Sequence, residues 1–493
     1  MTRSRRLQAL LRRASYPAWA LLLLALPVTS FPYFPAAMGG EALVRPLSIY
    51  PLVLLFAISF LPRLFTRPVS RTVLVLLPFV LLAGVSSALS LLQGIEPALG
   101  ISVEARVLRG FLTLLIGCAF YAIIAQLPDT LEDLRFSMRW LFAGYSAALA
   151  WGTIQALVML SQDPIWFQRI SALQTHISIR PLRLDRISGM TYEPHWFAEQ
   201  LILVLLPWSL AALLTNTTAF NFRWRRLTVE ALLVAWTVLL LPFTFSRSGL
   251  GSMLVVVFLS VLLFRPINGL AGSRLGWLRR RGLEVLLTLL VVALPIYLIG
   301  ARNPFFARLW QYWERPNPSL SGYLSYLGFD ARVVYSQAAF NTYQAYPLMG
   351  VGLGNYAFYF EEMLPYRPIA QVPEVLLMIT PEPGRDRLIT AKNLYLRLLA
   401  ETGIIGTTAF LAFVIANLGN ALFLWLDRRS EWQVWGVASL CGLLAFSLSA
   451  LTFDSFVIPN MWVLFGLITA ATRVMIHSAP QPSAEQASIH AND

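Results

Sequence analysis

The sequence predicts an all-α polytopic membrane protein of about twelve transmembrane helices, with one long, partly helical extracytoplasmic loop. Three observations predict it. Of 493 residues, 57% are hydrophobic and only 13% charged, whereas a soluble domain carries about 25% charge. Mean hydropathy is +0.63. Apolar windows long enough to cross a bilayer recur along the chain, broken once by a polar, aromatic-rich stretch near 301–403.

In chain order, spans are expected near 15–34, 48–65, 72–92, 108–126, 138–160, 196–214, 228–244, 248–264, 283–300, 404–426, 432–452 and 457–476. The seventh and eighth are the hardest to separate. The first is read as an anchor rather than a cleaved signal, because no small-residue cleavage site follows Ala18–Pro27. The layout divides the chain into helices 1–9 with an outer-face loop at 161–195 (residues 1–300), the long loop (301–403), helices 10–12 (404–476) and a disordered cytoplasmic tail (477–493).

Arginine fixes the orientation. With the N-terminus cytoplasmic, the inner loops carry Arg63/Arg67/Arg71, Arg135/Arg139, Arg223/Arg225/Arg226, Arg274/Arg279/Arg280/Arg281 and Arg428/Arg429, as the positive-inside rule requires. Both termini then face the cytoplasm. The net charge of +13 is almost wholly arginine, because Lys392 is the single lysine. Cys118 and Cys441 both fall in apolar runs, which argues against a structural disulfide. No matched pair of broken helices, the mark of many transporters, is visible.

Two outer segments break the charge rule. Ser161–His195 holds Arg169, Arg180, Arg183 and Arg186; the long loop holds Arg302, Arg308, Arg315, Arg332, Arg367, Arg385, Arg387 and Lys392. Guanidinium forks match phosphate oxygens, so an anion site is one explanation. The other is that long loops translocate regardless of charge.

Four stretches carry chemistry. In Asp185–Phe197, Gly189 permits a tight turn and Pro194 opens a helix whose N-terminus attracts anions. Arg186 stands near that end, and Glu193 and His195 offer a carboxylate and an imidazole for proton transfer; an interfacial turn with a snorkelling arginine fits equally. In Thr244–Gly249, Arg247 is a membrane-edge cation, either a site residue or a headgroup contact. Arg332 precedes Gly350, Gly352, Gly354 and Asn355, whose glycines would let backbone approach a bulky ligand. No strand–helix alternation surrounds them, so they do not make a nucleotide fold. Asn393 suits a helix cap, and Lys392 beside it either contacts phosphate or faces water.

Together these stretches resemble the O-antigen ligase and O-antigen polymerase superfamily of bacterial envelope glycosyltransferases. The resemblance runs from Arg180 to Gly406: Arg186–Gly189 with Pro194, Ser246–Gly249, Arg332, Pro347–Asn355, and Lys392-Asn393 through Glu401 and Gly403. It implies a glycosyltransferase of the bacterial cytoplasmic membrane, working at its outer face without metal or cofactor. The donor would be a glycan on undecaprenyl diphosphate, the acceptor a glycan or lipid, with membrane lipids and other polysaccharide-assembly proteins as partners and no nucleic acid. Arg186, Arg247, Arg332 and Lys392 would hold the diphosphate, and Glu193, His195, Arg247 and Arg332 would act in catalysis. Gly189, Gly352, Gly354, Asn355 and Asn393 would shape the loops. Trp310, Tyr312, Trp313, Tyr343, Tyr356 and Tyr366 would form a sugar-stacking wall. One departure stands out: family ligases carry His where this chain has Lys392, and a charged ammonium cannot accept a proton. Ligase and polymerase both fit, and a flippase or exporter of lipid-linked or anionic polysaccharide is the rival class.

Overall fold

The computed structural model describes residues 3–35, 42–66, 68–220, 222–224, 227–264, 274–301, 303–365, 372–380, 388–427 and 429–478. Arg67, Arg225, Arg226, Arg302, Tyr366, Arg367, Arg385, Arg387, Arg428 and the tail beyond Ser478 lie outside them.

The chain folds as helices, in the order α1 (Arg3–Ala25), α2 (Ile49–Leu64), α3 (Arg71–Ser90), α4 (Val103–Gln126), α5 (Leu131–Ser161), α6 (Pro164–Ile177), α7 (Pro194–Leu214), α8 (Val229–Thr244), α9 (Arg247–Phe264) and α10 (Arg274–Gly300). The loop region adds α11 (Pro304–Gln311), α12 (Leu320–Tyr326), α13 (Phe329–Ala345), α14 (Tyr356–Tyr359) and α15 (Pro373–Ile379). Three long helices close the chain: α16 (Leu394–Leu426), α17 (Ser430–Ser449) and α18 (Asn460–His477). One short antiparallel hairpin, Arg223–Trp224 against Leu227–Thr228, precedes α8.

Length and apolarity single out eight helices able to cross a membrane among the described residues, not twelve. Each of the other four expected spans has a helix at its position. Two of these, α2 and α8, are apolar but short, with π-helical geometry at Phe56–Phe60 in one and a 3₁₀ turn at Leu241–Thr244 ending the other. The seventh and eighth expected spans do separate, because Phe245 adopts a left-handed conformation between α8 and α9.

Local chemistry sets the helix starts. Ser102 caps α4 through the Ala105 amide, Thr130 and Asp133 form a reciprocal capping box on α5, and Asp163 caps α6. Burial then sorts the bundle. Helices α7 and α18 are almost completely enclosed, with Leu201, Val204, Leu205, Trp462, Phe465 and Ile468 at 1% exposure or less. Around α18, Phe465 meets Phe413 and Phe446 edge-on, and Tyr121 packs on Phe413. Helix α10 is the opposite case. Its Leu286, Leu287, Leu290, Val291 and Leu294 are all more than half exposed, an apolar face that suits lipid contact.

The loop region has its own small core. Ala331, Val334, Tyr335 and Ala338 of α13 pack with Tyr356, Phe360, Val372, Val375 and Ala391. Helix α16 begins at Leu394, well before the expected boundary at 404; that boundary coincides instead with a break at Gly403 (φ 62°, ψ −169°).

Candidate active site

The segment before α7 is held by a buried polar chain. Gln155, toward the C-terminal end of α5, accepts the Ser188 and Gly189 amides on Oε1 (3.1 and 2.8 Å) and donates from Nε2 to the Gly189 carbonyl (2.9 Å) and to Gln174 (2.9 Å). Gln174 also accepts the Trp151 indole N–H at 2.7 Å and donates to the Arg180 carbonyl at 3.1 Å. Gly189 has φ +57°, and a Cβ there would stand 2.7 Å from the Phe197 ring. The turn can therefore be tight only with glycine. The Ile187 amide reaches the Phe243 carbonyl (3.0 Å), and Asn303 reaches the Asp185 carbonyl (3.2 Å). The Asp185–Glu193 stretch is thus tied to the end of α8 and to the start of the long loop.

The Ser246 turn is fixed in the same way. Ser246 Oγ accepts the Gly249 amide at 3.2 Å, and Gly249 lets α9 approach α7, where an added Cβ would meet Ala198 at 2.7 Å. Arg247 is the first residue of α9, half-buried at the same end of the bundle.

Four cations from distant parts of the sequence converge here. The charges of Arg332, Arg186 and Lys392 all bear on the His195 imidazole, and those of Arg332 and Arg308 bear on Arg247. Arg332 Nη1 and Arg186 Nε are buried without a hydrogen-bond partner; the nearest carboxylate to the latter, Asp185, stands off at 3.7 Å. Burial, and then the neighbouring Arg183 charge, lower the Arg186 guanidinium from its ordinary value, so an anion arriving there relieves a charge that is costly to hold.

The carboxylates are each engaged. Glu193 is the residue before α7 but makes no side-chain cap; it pairs with Arg180 at 3.4 Å, whose guanidinium lies over the Tyr192 ring. Asp185 pairs with Arg183 at 2.5 Å. Burial acts to raise the Asp185 carboxyl, but the Arg183 hydrogen bond and charge outweigh it and hold it below the usual range. Lys392 is not free in water. Its ammonium donates to Glu374 at 2.7 Å and lies 4.5 Å from the centre of the Tyr335 ring. Its backbone, at φ +50°, is held by Asp454 Oδ2 at 2.8 Å, and Asn393 caps α16 through the Leu396 amide at 3.1 Å.

The glycine-rich stretch does different work from that expected. Its close neighbours are protein, not an open ligand space. The Val351 and Gly352 amides donate to the Ala400 and Glu401 carbonyls, and the Ile404 amide returns to Pro347. Ser86, Ser87 and Ser90 of α3 bind Met349, Leu353 and Asn355. A Cβ on Gly352 would meet Ser90 Oγ at 2.7 Å, and one on Gly354 would meet Arg106 Nε at 3.0 Å. Asn355 is fully buried against Ser90. The segment therefore threads between α3, α4 and the break in α16, which sets the N-terminal end of α16 and hence Lys392.

The aromatic wall is also corrected. Tyr356 is 1% exposed, its hydroxyl bonded to the Tyr335 carbonyl, and Tyr312 is 8% exposed. Both are core residues. Trp313, 49% exposed, lies against Tyr312 and Tyr323, while Arg315 covers Tyr326 at 4.2 Å.

Sequence reasoning missed Gln155, Gln174, Glu374, Arg106 and Asp454. The glutamines carried a signal, being polar groups inside or beside apolar helix; Glu374 carried none. Among the described residues no three His, Cys, Asp or Glu side chains gather as a metal-holding group. A cavity of about 540 Å³ lined by Arg135, Arg139 and Arg223 lies at the opposite end of α5, roughly 30 Å from Gln155 at 1.5 Å per residue. Open cavity volume and converging charge thus point to different ends, and the unsatisfied guanidinium donors decide for the latter.

Fold and site together define a multi-span helical membrane protein that gathers cations at one end of its bundle. Residues 232–411 match the family described as O-antigen ligase, a match of that domain that supports a place in the O-antigen ligase/polymerase superfamily. The match includes Arg247, Arg332, the glycine-rich stretch and Lys392-Asn393; Arg186, Gly189, Glu193 and His195 precede it. No curated protein matches the chain. The domain match supports a glycan-transfer role of ligase or polymerase type, with lipid-linked glycan and membrane lipids as the implied substrates and surroundings.

Proposed function

We propose that this protein transfers or polymerises glycan from an undecaprenyl-diphosphate-linked donor at the outer face of the cytoplasmic membrane. The observation that carries the reading is the pair of buried, partnerless N–H groups on Arg186 and Arg332, in a cluster that also includes Arg247 and Lys392 around His195. The lipid tail would lie along the helices and the diphosphate at headgroup depth. As the sugar–phosphate bond breaks, negative charge grows on the leaving diphosphate, and fixed guanidinium groups stabilise it without reorganising. The acceptor hydroxyl loses its proton in the same step, to a base at the same end of the bundle. Cations crowded at one end of the bundle favour chemistry at a face over passage through it, which argues against a flippase.

The test uses purified full-length protein with lipid-linked oligosaccharide extracted from the source cells' own membranes, following release of undecaprenyl diphosphate. Arg332→Ala is expected to lower release by a factor of about 10² or more with expression unchanged. Release at the wild-type rate in both Arg332→Ala and Arg247→Ala would remove these residues from the mechanism.

A further inference from the structure

The departure at Lys392 leaves a question of where the acceptor's proton goes. A proton arriving on His195 would add a fourth positive charge to a group already facing Arg332, Arg186 and Lys392. Glu193 is closed on one side by Arg180, with a side chain only 26% exposed. Asp185 is closed by Arg183 and Asp454 is held by the Lys392 amide, whereas Glu374, on α15, eighteen residues before Lys392, meets the Lys392 ammonium directly.

Its surroundings are specific. Lys392 Nζ and the Tyr335 hydroxyl both donate to the same oxygen, Oε1, at 2.7 and 3.2 Å. That leaves Oε2 open on a side chain 49% exposed. Val372 and Val375 are buried beside Tyr335 in the loop core, so α15 cannot slide without breaking that packing. Tyr335 is anchored through its carbonyl by Tyr356, and it stands one helical turn from Arg332 on α13. Burial and the Glu374 charge push the Tyr335 phenol up, which keeps it a donor to the carboxylate. Glu374 is therefore oriented by two donors, one of them held over an aromatic ring, and is linked through them to both Arg332 and Lys392.

We propose that Glu374 is the general base of the transfer reaction and that its ion pair with Lys392 opens as it accepts the proton. This rests on the glycan-transfer reading above. The acceptor O–H bond breaks and its proton goes to Glu374 Oε2. The oxygen's electron pair forms the new bond to the anomeric carbon, and the sugar–phosphate bond breaks with its pair retained by the diphosphate. Protonated Glu374 no longer neutralises Lys392, so the ammonium is released to the diphosphate as that group becomes more negative. One carboxylate thereby couples acceptor activation to leaving-group stabilisation, and a lysine that cannot itself act as a base acquires a role.

The experiment compares wild type, Glu374→Gln, Glu374→Asp, Glu374→Ala with added sodium formate, and Arg332→Ala. Each is measured for transfer from extracted lipid-linked oligosaccharide, for binding of undecaprenyl diphosphate, and for thermal unfolding. Expected are a loss of about 10²–10⁴-fold in Glu374→Gln, partial activity in Glu374→Asp, and recovery of Glu374→Ala by formate. Unfolding temperature should stay near wild type in all Glu374 variants, and undecaprenyl diphosphate binding by Glu374→Gln and Glu374→Ala should equal or exceed wild type, because Lys392 is then released from its pair. Transfer by Glu374→Gln within threefold of wild type, while Arg332→Ala is inactive, overturns the base assignment and leaves the transfer reading standing. Loss of folding in Glu374→Gln together with no formate recovery of Glu374→Ala also overturns it, in favour of a structural ion pair. Full activity in Arg332→Ala removes Arg332 from the mechanism, and no transfer by wild type strikes the transfer reading itself.

Discussion

Replacing Gln155 by leucine isolates the device that places Arg186. The side chain is 1% exposed, and leucine preserves its bulk while deleting every polar contact. Two loop amides and one loop carbonyl lose their partner, at 3.1, 2.8 and 2.9 Å. Each buried group left unsatisfied costs about 1–3 kcal/mol, so the three would cost about 3–9 kcal/mol if the loop stayed in place. That exceeds what a surface loop commonly gains from its position, so the 186–193 stretch should move toward water instead. Helix α5 keeps its apolar packing, and the bundle should survive. The expected outcome is a modest fall in unfolding temperature with transfer reduced about 10²-fold, the scale on which a misplacement of about 1 Å acts. Gln155→Glu retains the acceptor for the two amides but sets a second oxygen against the Gly189 carbonyl and Gln174 Oε1, so it should be no milder. Transfer assays on lipid-linked oligosaccharide, paired with thermal unfolding in detergent, read both quantities. Wild-type transfer and an unchanged unfolding temperature in Gln155→Leu would refute the reasoning.

Further outcomes are expected at other positions. Arg332→Lys keeps the charge but loses the planar fork, so it should retain measurable diphosphate binding while Arg332→Ala does not; equal binding by the two in a titration with undecaprenyl diphosphate would count against bidentate recognition. Gly403→Ala forces a side chain into a backbone region open essentially to glycine, at about 1–3 kcal/mol, and its Cβ would stand 2.2 Å from the Leu348 carbonyl; thermal unfolding should show a clear loss. Arg397→Met strands Glu401, 3% exposed, without the ion pair at 2.9 Å, which should cost about 3–5 kcal/mol, and adding Glu401→Leu should recover most of it. Asp185 sits below the usual carboxylate range. Its contribution to loop order is therefore complete above about pH 3.9, the value for a free aspartate, and is lost as pH falls through its lower value in the fold. Proteolysis of the 178–193 segment over an acid series should show protection persisting into moderate acid.

Much of the helical layout was legible because hydropathy is a local property. The windows at 72–92, 108–126 and 196–214 correspond to α3, α4 and α7 within a few residues. The count of twelve is not confirmed: eight helices are long and apolar enough among the described residues, and α2 and α8 are apolar but short. The four chemical stretches were legible as arginine, glycine and proline in places where topology did not ask for them. What could not be read was which partner each residue would meet. Glycines spaced by two look the same whether ligand or helix approaches them, and only the serines of α3, about 265 positions away, settle that they receive protein. Glu374 sits in a stretch with no periodicity of its own, and its meeting with Lys392 depends on the fold of the intervening loop. Tyr356 reads as a surface aromatic because the small core around it is assembled from residues spread over α13, α15 and the start of α16.

The berth of residues 347–355 has a consequence for the order in which the molecule can be completed. Half of it, the serine face of α3, is synthesised long before that segment emerges; the other half, at Ala400–Ile405, comes only afterwards. The stretch must wait unpaired until α16 arrives, and it then fastens the early and late parts of the chain to one another. A chain stopped anywhere short of Gly403 would keep most of its helices and yet have nowhere to seat Lys392.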